Sequence, residues 1–210
     1  MLDNDRKHLI FDFDGTIVNS FPLVVKNLSQ YTNHDDLIWK ELRSLSSRQV
    51  IKKLGISKLA TLSLILRVRK DFKNNITDQT IVSGIKDAFM ELRAKGFTLH
   101  IVSTNSKTNI ERFLSLHDLR ESVTNIISSF SIFGKAKGIS KLIKKIDKIA
   151  KDVIYIGDET RDIQAAEKAG ARCLAVSWGY SSEELLKQYN PWLLASNPRE
   201  MVDKIGKVFL

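Results

Sequence analysis

Five short apolar runs, each leading through a turn into a helical pattern, constrain this chain more than any other feature. They are His8–Phe11, Phe97–Val102, Asn125–Ile127, Val153–Ile156 and Arg172–Val176. Runs of three to six residues are too short for helices and lack the alternation of a half-solvated strand, so they read as strands buried on both faces. The stretches behind them carry helical spacing: Ser106–Leu116, Gly138–Ile149 and Asp162–Ala169, then Ser181–Gln188 and Pro198–Val208. Strands alternating with helices specify a parallel sheet covered on both sides, a Rossmann-like α/β fold.

The alternation breaks once. From Ser20 to Lys95 the pattern is helical, with Ser20 and Pro22 opening a first helix and Asp35 or Asp36 a second through Trp39, Leu42 and Leu45. Ser46 or Ser47 is a candidate cap for a third, ended by Gly55, and Ser57 for a longer one through Phe72. Thr77–Lys95 reads as a single helix through Ile81, Ile85, Phe89 and Leu92. The expected organisation is a core of residues 1–19 and 80–210, with a helical cap of residues 20–79 inserted after the first strand. The apolar Leu62–Leu66 face is expected to pack inside that cap.

Charge follows the same division. The formal charge is +9, and ten Lys/Arg against Glu41 and Asp71 put +8 of it between Ile38 and Lys73. Such a surface attracts anions. Nucleic acid is disfavoured, since no zinc pattern, aromatic RNA-binding strand or recognition helix accompanies the charge. One cysteine, Cys173, allows no internal disulfide, the N-terminus shows no signal-peptide core, and Leu59–Leu66 is too short to span a bilayer. A cytoplasmic protein, monomeric or homodimeric, with no membrane partner is the expectation. His8, His34, His100 and His117 have no metal-ligand spacing to one another.

Ligands of open parallel sheets bind beyond the carboxyl ends of the strands. The first run ends in Asp12-Phe13-Asp14-Gly15-Thr16, whose two acids lie two apart and so share a strand face. The second ends in Ser103-Thr104-Asn105; Lys135 comes after the third; Gly157-Asp158 ends the fourth, with Asp162 close behind. Carboxylates, hydroxyls and an ammonium at one edge suit phosphoryl transfer. A carboxylate attacks phosphorus once a cation offsets its repulsion for the phosphate, a lysine and a hydroxyl hold the oxygens, and a second carboxylate moves the proton.

With these motifs the chain resembles the haloacid dehalogenase superfamily, in its phosphoglycolate phosphatase-like branch with a helical (C1-type) cap. Asp12–Thr16, Ile101-Val102-Ser103, Lys135, Gly157–Asp162 and Val176–Tyr180 carry the likeness. The resemblance implies Asp12 as nucleophile and Asp14 as general acid/base. It implies Mg²⁺ held by Asp12, the Asp14 carbonyl and Asp158, with Asp162 supporting. Ser103, or its neighbour Thr104, and Lys135, with Lys137 as alternative, would bind the phosphoryl group. The expected activity is hydrolysis of a small phosphate ester, phosphoglycolate-like or a nucleotide monophosphate, through an aspartyl-phosphate. The rival readings are a β-phosphoglucomutase-like mutase and an inactive nucleic-acid-binding or regulatory protein of the same fold.

Overall fold

In a computed structural model of the chain, residues 7–29, 41–129 and 134–209 are described. Six strands form one parallel sheet: β1 (His8–Phe11), β2 (Thr98–Ser103), β3 (Val123–Ser128), β4 (Val153–Gly157), β5 (Arg172–Val176) and β6 (Leu193–Ala195), in the order β3-β2-β1-β4-β5-β6. The strand order reverses between β1 and β4, which opens a crevice at their carboxyl ends. Phe11 lies in register with Ile101 and Ile156, and Asp12 N–H donates to the Ile156 carbonyl at 2.7 Å.

The helices are α1 (Phe21–Ser29), α2 (Ser47–Lys53), α3 (Lys58–Asn74), α4 (Ile85–Ala94), α5 (Lys107–Leu116), α6 (Lys135–Lys145), α7 (Thr160–Lys168), α8 (Glu183–Gln188) and α9 (Pro198–Phe209). Alternate residues of β1 feed opposite layers, as a pleated strand requires. Leu9 and Phe11 join Phe89, Phe113 and Ile205 on one face; Ile10 joins Val102, Ile139, Tyr155 and Ala166 on the other. Helix α3 leaves the sheet: Leu64 packs with Leu28, Leu42 and Ile56, whereas Phe72 is rooted in the sheet's core.

The helical stretch behaves in part as expected. Ser46 caps α2 in a reciprocal capping box with Gln49, and Ser57 accepts from Ala60 N–H to start α3. Most of the helix expected from Asp35 or Asp36 through Trp39, and His34 with it, lies outside the described residues. Three expectations need correction. Thr77–Lys95 is not one helix: a 3₁₀ turn spans Ile76–Asp78, and α4 starts only at Ile85. Between them the chain runs extended beside the segment after β1. Asn19 N–H donates to Thr80, Val82 N–H to Ile17, and Gly84 (φ +83°) turns the backbone into α4.

The Leu62–Leu66 face is not interior. Only Leu64 is buried, with Leu62 52% and Leu66 50% exposed. Helix α6 starts at Lys135 rather than Gly138 and ends at Lys145. Strand β6 was not legible, because three residues after Pro191 carry no periodic signal; it is held by pairing with β5. Among the described residues no helix is long and apolar enough to cross a membrane.

Candidate active site

The crevice between β1 and β4 gathers the strand-end residues. Asp12 closes β1 and Asp158 closes β4, both buried. Asp162 comes from the first turn of α7, where its carboxylate accepts from Glu159 N–H at 3.0 Å and completes a capping box. Carboxylate oxygens of Asp12, Asp158 and Asp162 all lie within 4.8 Å of one another. The Asp14 carboxylate is not in this group; it accepts from Asn105 Nδ2 at 3.2 Å and faces the cavity below the helical stretch.

Backbone shape makes the cluster possible. Gly15 has φ +80°, and a Cβ there would fall on the Asp158 carboxylate. A Cβ at Gly179 would meet the same group. The two loops therefore close on Asp158 and orient it: Thr16 Oγ1 donates at 2.7 Å and Tyr180 N–H at 2.7 Å. Phe13 N–H, at 2.8 Å, fixes the Asp12 carboxylate in turn.

Lys135 is the cation in this crevice. It is 2% exposed, and its Nζ donates to Asp12 Oδ2 at 2.6 Å and to Asp162 Oδ1. The other candidate lysine, Lys137, is exposed to solvent. Ser103 is buried at the end of β2 and its Oγ accepts from Asn105 N–H at 3.0 Å, while Thr104 lines the cavity.

Burial dominates the electrostatics. It raises the Asp12 carboxyl against the pull of Lys135, and raises Asp14 against its bonds from Asn105 and Ser20. Asp158 is pushed well above the usual range by burial, then by Asp162, Glu159 and Asp12. Asp162 rises to about 6, burial outweighing Lys135. Lys135 moves up although burial opposes it, because Asp12 and Asp162 hold its charge. Glu159 goes down, since Arg161 and Lys135 overcome its burial.

Three buried carboxylates sharing one ammonium are short of positive charge, and an all-oxygen donor set suits a hard divalent cation. The residues therefore fit a divalent metal, with Asp12, Asp158 and Asp162 as the available oxygen donors.

Several participants were not legible in the sequence. Asn105 bonds Asp14 and is steadied by Asn109 at 3.0 Å. Arg43, from the helical stretch, donates to the carbonyls of Gly179 at 2.8 Å and of Ser177 and Tyr180 at 3.3 Å. Ser47 Oγ donates to Glu159, whose carboxylate also pairs with Arg161. The partners of Arg43 and Ser47 lie 112 to 137 residues away, beyond the reach of any local pattern.

The fold and this strand-end centre define a parallel α/β protein built around clustered carboxylates. Residues 9–176 match the family model described as haloacid dehalogenase-like hydrolase, and the chain belongs to that family. A phosphoglycolate phosphatase of Synechococcus elongatus is 31% identical over 206 residues, covering 95% of this chain and 97% of that protein. Pyrophosphatase PpaX of Bacillus anthracis is 24% identical, over 96% of this chain and 94% of its own. Among solved structures, "a predicted phosphatase from Clostridium acetobutylicum" superposes with a TM-score of 0.80 at 21% identity, over 96% of this chain and 99% of that one. This last likeness bears on the fold alone.

Proposed function

We propose that this chain, a phosphatase of the haloacid dehalogenase-like family, is a Mg²⁺-dependent phosphomonoester hydrolase working through Asp12. The observation that carries the reading is the Asp12–Lys135–Asp162 arrangement beside Asp158, all of it buried at the sheet's switch point. Asp12 is the nucleophile: its carboxylate attacks phosphorus, the ester oxygen leaves, and an aspartyl-phosphate forms. Water then attacks that acyl phosphate, releasing inorganic phosphate and restoring Asp12.

Asp14 gives the leaving oxygen its proton in the first step and takes one from water in the second. Burial raises its carboxyl, the direction that helps an acid keep a proton to give. Asn105 aims it. Lys135, with Ser103 or Thr104, holds the phosphoryl oxygens, the ammonium moving between carboxylate and phosphate partners. Asp12, the Asp14 carbonyl and Asp158 would hold the Mg²⁺, with Asp162 in support. When bound, the ion supplies positive charge that offsets the repulsion between a carboxylate and a phosphate dianion.

The helical stretch 20–79 serves as a cap that shields this chemistry from bulk water and selects the leaving group. Arg43, Arg69 and Arg161 line the cavity under it, beside apolar Phe21, Val24 and Leu64. Together with the phosphoglycolate phosphatase relative they favour a small anionic ester of the phosphoglycolate kind. The test is hydrolysis of p-nitrophenyl phosphate with Mg²⁺ by wild type and by Asp12→Asn. Loss on the order of 10⁴-fold in kcat is expected of a missing nucleophile. Turnover that survives the substitution would show that the nucleophile lies elsewhere.

A further inference from the structure

Two compartments meet above the carboxylate cluster, and their chemistry differs. The first, of about 210 Å³, has Asp14 and Asn105 on its floor and mostly apolar walls. The second is larger, about 630 Å³, and shares Ser47, Ile51, Thr61, Ile65 and Arg161 with the first. It opens onto Lys135. Its described lining residues include five cations, Arg48, Lys58, Lys135, Arg161 and Lys168, and no carboxylate.

Lys135 and Arg161 are engaged with buried carboxylates, the first with Asp12 and Asp162, the second with Glu159. The remaining cations come from opposite walls. Arg48, which has a contact of its own, and Lys58 belong to α2 and α3 above; Lys168 belongs to α7 below. Like charges facing one another across a cleft repel unless an anion lies between them, and a cleft with low-dielectric walls focuses their field on whatever enters. Solvation on a helix face explains each of these residues singly. It does not explain why both walls of one cleft present cations and the described lining presents no acid.

We propose that this cleft binds a second phosphate of the substrate, so that the ester cleaved at Asp12 has a leaving group that is itself phosphorylated. The inference rests on the phosphatase reading and narrows it. A two-carbon leaving group with one carboxylate brings a single negative charge to a cleft with cations on both walls; a phosphate brings a dianion with three acceptor oxygens, enough to reach both. Two of the ten cations between Ile38 and Lys73, Arg48 and Lys58, line this cleft.

The experiment compares fructose 1,6-bisphosphate with fructose 6-phosphate, a pair differing by one phosphate. Apparent affinity is read as KM where the sugar phosphate is hydrolysed and as Ki against p-nitrophenyl phosphate where it is not. Wild type should favour the bisphosphate, and the advantage should shrink as ionic strength rises. Lys58→Ala and Lys168→Ala should each reduce the bisphosphate-to-monophosphate preference on the order of tenfold, the loss of one charge-assisted contact. Both side chains are exposed, so the variants should fold. Absence of a preference in wild type, or a preference unchanged in both variants, would overturn the proposal and leave the phosphatase reading standing. Failure of wild type to hydrolyse any of these esters, p-nitrophenyl phosphate included, would overturn both.

Discussion

The sheet and the helical stretch above it differ in how they are held. Both faces of the sheet are packed by large side chains, with Phe11, Phe13, Phe89 and Phe113 fully buried on one and Tyr155 on the other. In the helical stretch the cluster of Leu28, Leu42, Ile56 and Leu64 is small, and α2 buries none of its residues. Leu23 and Phe72 anchor the stretch in the sheet's core, and away from that anchor its ties are polar: Arg43 on three carbonyls, Ser47 on Glu159, and Arg69 on the Ser129 carbonyl at 3.2 Å. A packed core can hold reacting groups to within tenths of an ångström, whereas a lightly packed segment on polar ties can open and close at small cost. The division suits an enzyme whose chemistry is fixed and whose access is gated.

Core truncations give the largest expected contrast. Phe113→Ala should cost about 3–5 kcal/mol of global stability in urea unfolding. Leu64→Ala should cost about 2–3 kcal/mol, the low end of such changes. Amide exchange should localise the Leu64 effect to residues 41–74 and leave β1 and β4 protected. An equal loss of protection in the sheet would break the distinction.

A second expectation concerns acid. His100 is buried on β2, where it bonds His8 at 2.9 Å and Asn125 at 3.0 Å. Burial, then the neighbouring His8 and Lys145, pull its pKa down to about 3. The folded protein thus keeps this imidazole neutral where the unfolded chain protonates it. The stability it contributes is complete above about pH 6.5 and is lost as pH falls towards 3, by about 1.4 kcal/mol per unit. His100→Gln should flatten that acid limb in urea titrations across pH 4–7. A limb of the same slope would remove His100 as its source.

Arg43→Ala tests the tie itself. Losing charge-assisted bonds to three carbonyls should weaken docking of the helical stretch by about 1.5–3 kcal/mol. Faster exchange is expected at the amides of Gly179 and Tyr180, the latter donating to Asp158. Because Tyr180 helps orient Asp158, Mg²⁺ should also bind more weakly by calorimetry; unaltered exchange and affinity would show that Arg43 does not couple the two regions. The smallest effect is expected for Ser46→Ala, about 1 kcal/mol from the lost cap of α2. It should appear in local exchange over Ser47–Lys53 and leave the unfolding midpoint of the sheet nearly unchanged.

The same contrast governs how much of the molecule is legible in its sequence. Asp12 and Asp158 stand just beyond the ends of apolar runs, so they can be located by finding the strands and reading the residues at their carboxyl ends, whereas Lys135 opens α6 and the sequence alone leaves Lys137 as its alternative. The boundaries of β1, β2 and β4 come from burial on both faces. The helical stretch is less legible. Its amphipathic pattern suggests that Leu62 and Leu66 are interior, and the structure exposes both, because Leu64 alone turns toward Leu28 and Leu42. Ile81 carries helical spacing yet pairs with Val18, a bridge that depends on the turn at Gly84. Arg43, Asn105 and Glu159 act through partners distant in the chain, and sequence spacing holds no trace of such contacts.

The most direct measurement is to locate the phosphoryl group during turnover. Wild-type protein mixed with Mg²⁺ and an isotopically labelled phosphate ester, quenched in acid within one turnover and digested, should yield label on the peptide containing Asp12. Asp12→Asn should yield none. Label on a different residue, or hydrolysis by wild type with no labelled peptide under conditions that preserve acyl phosphates, would contradict the account.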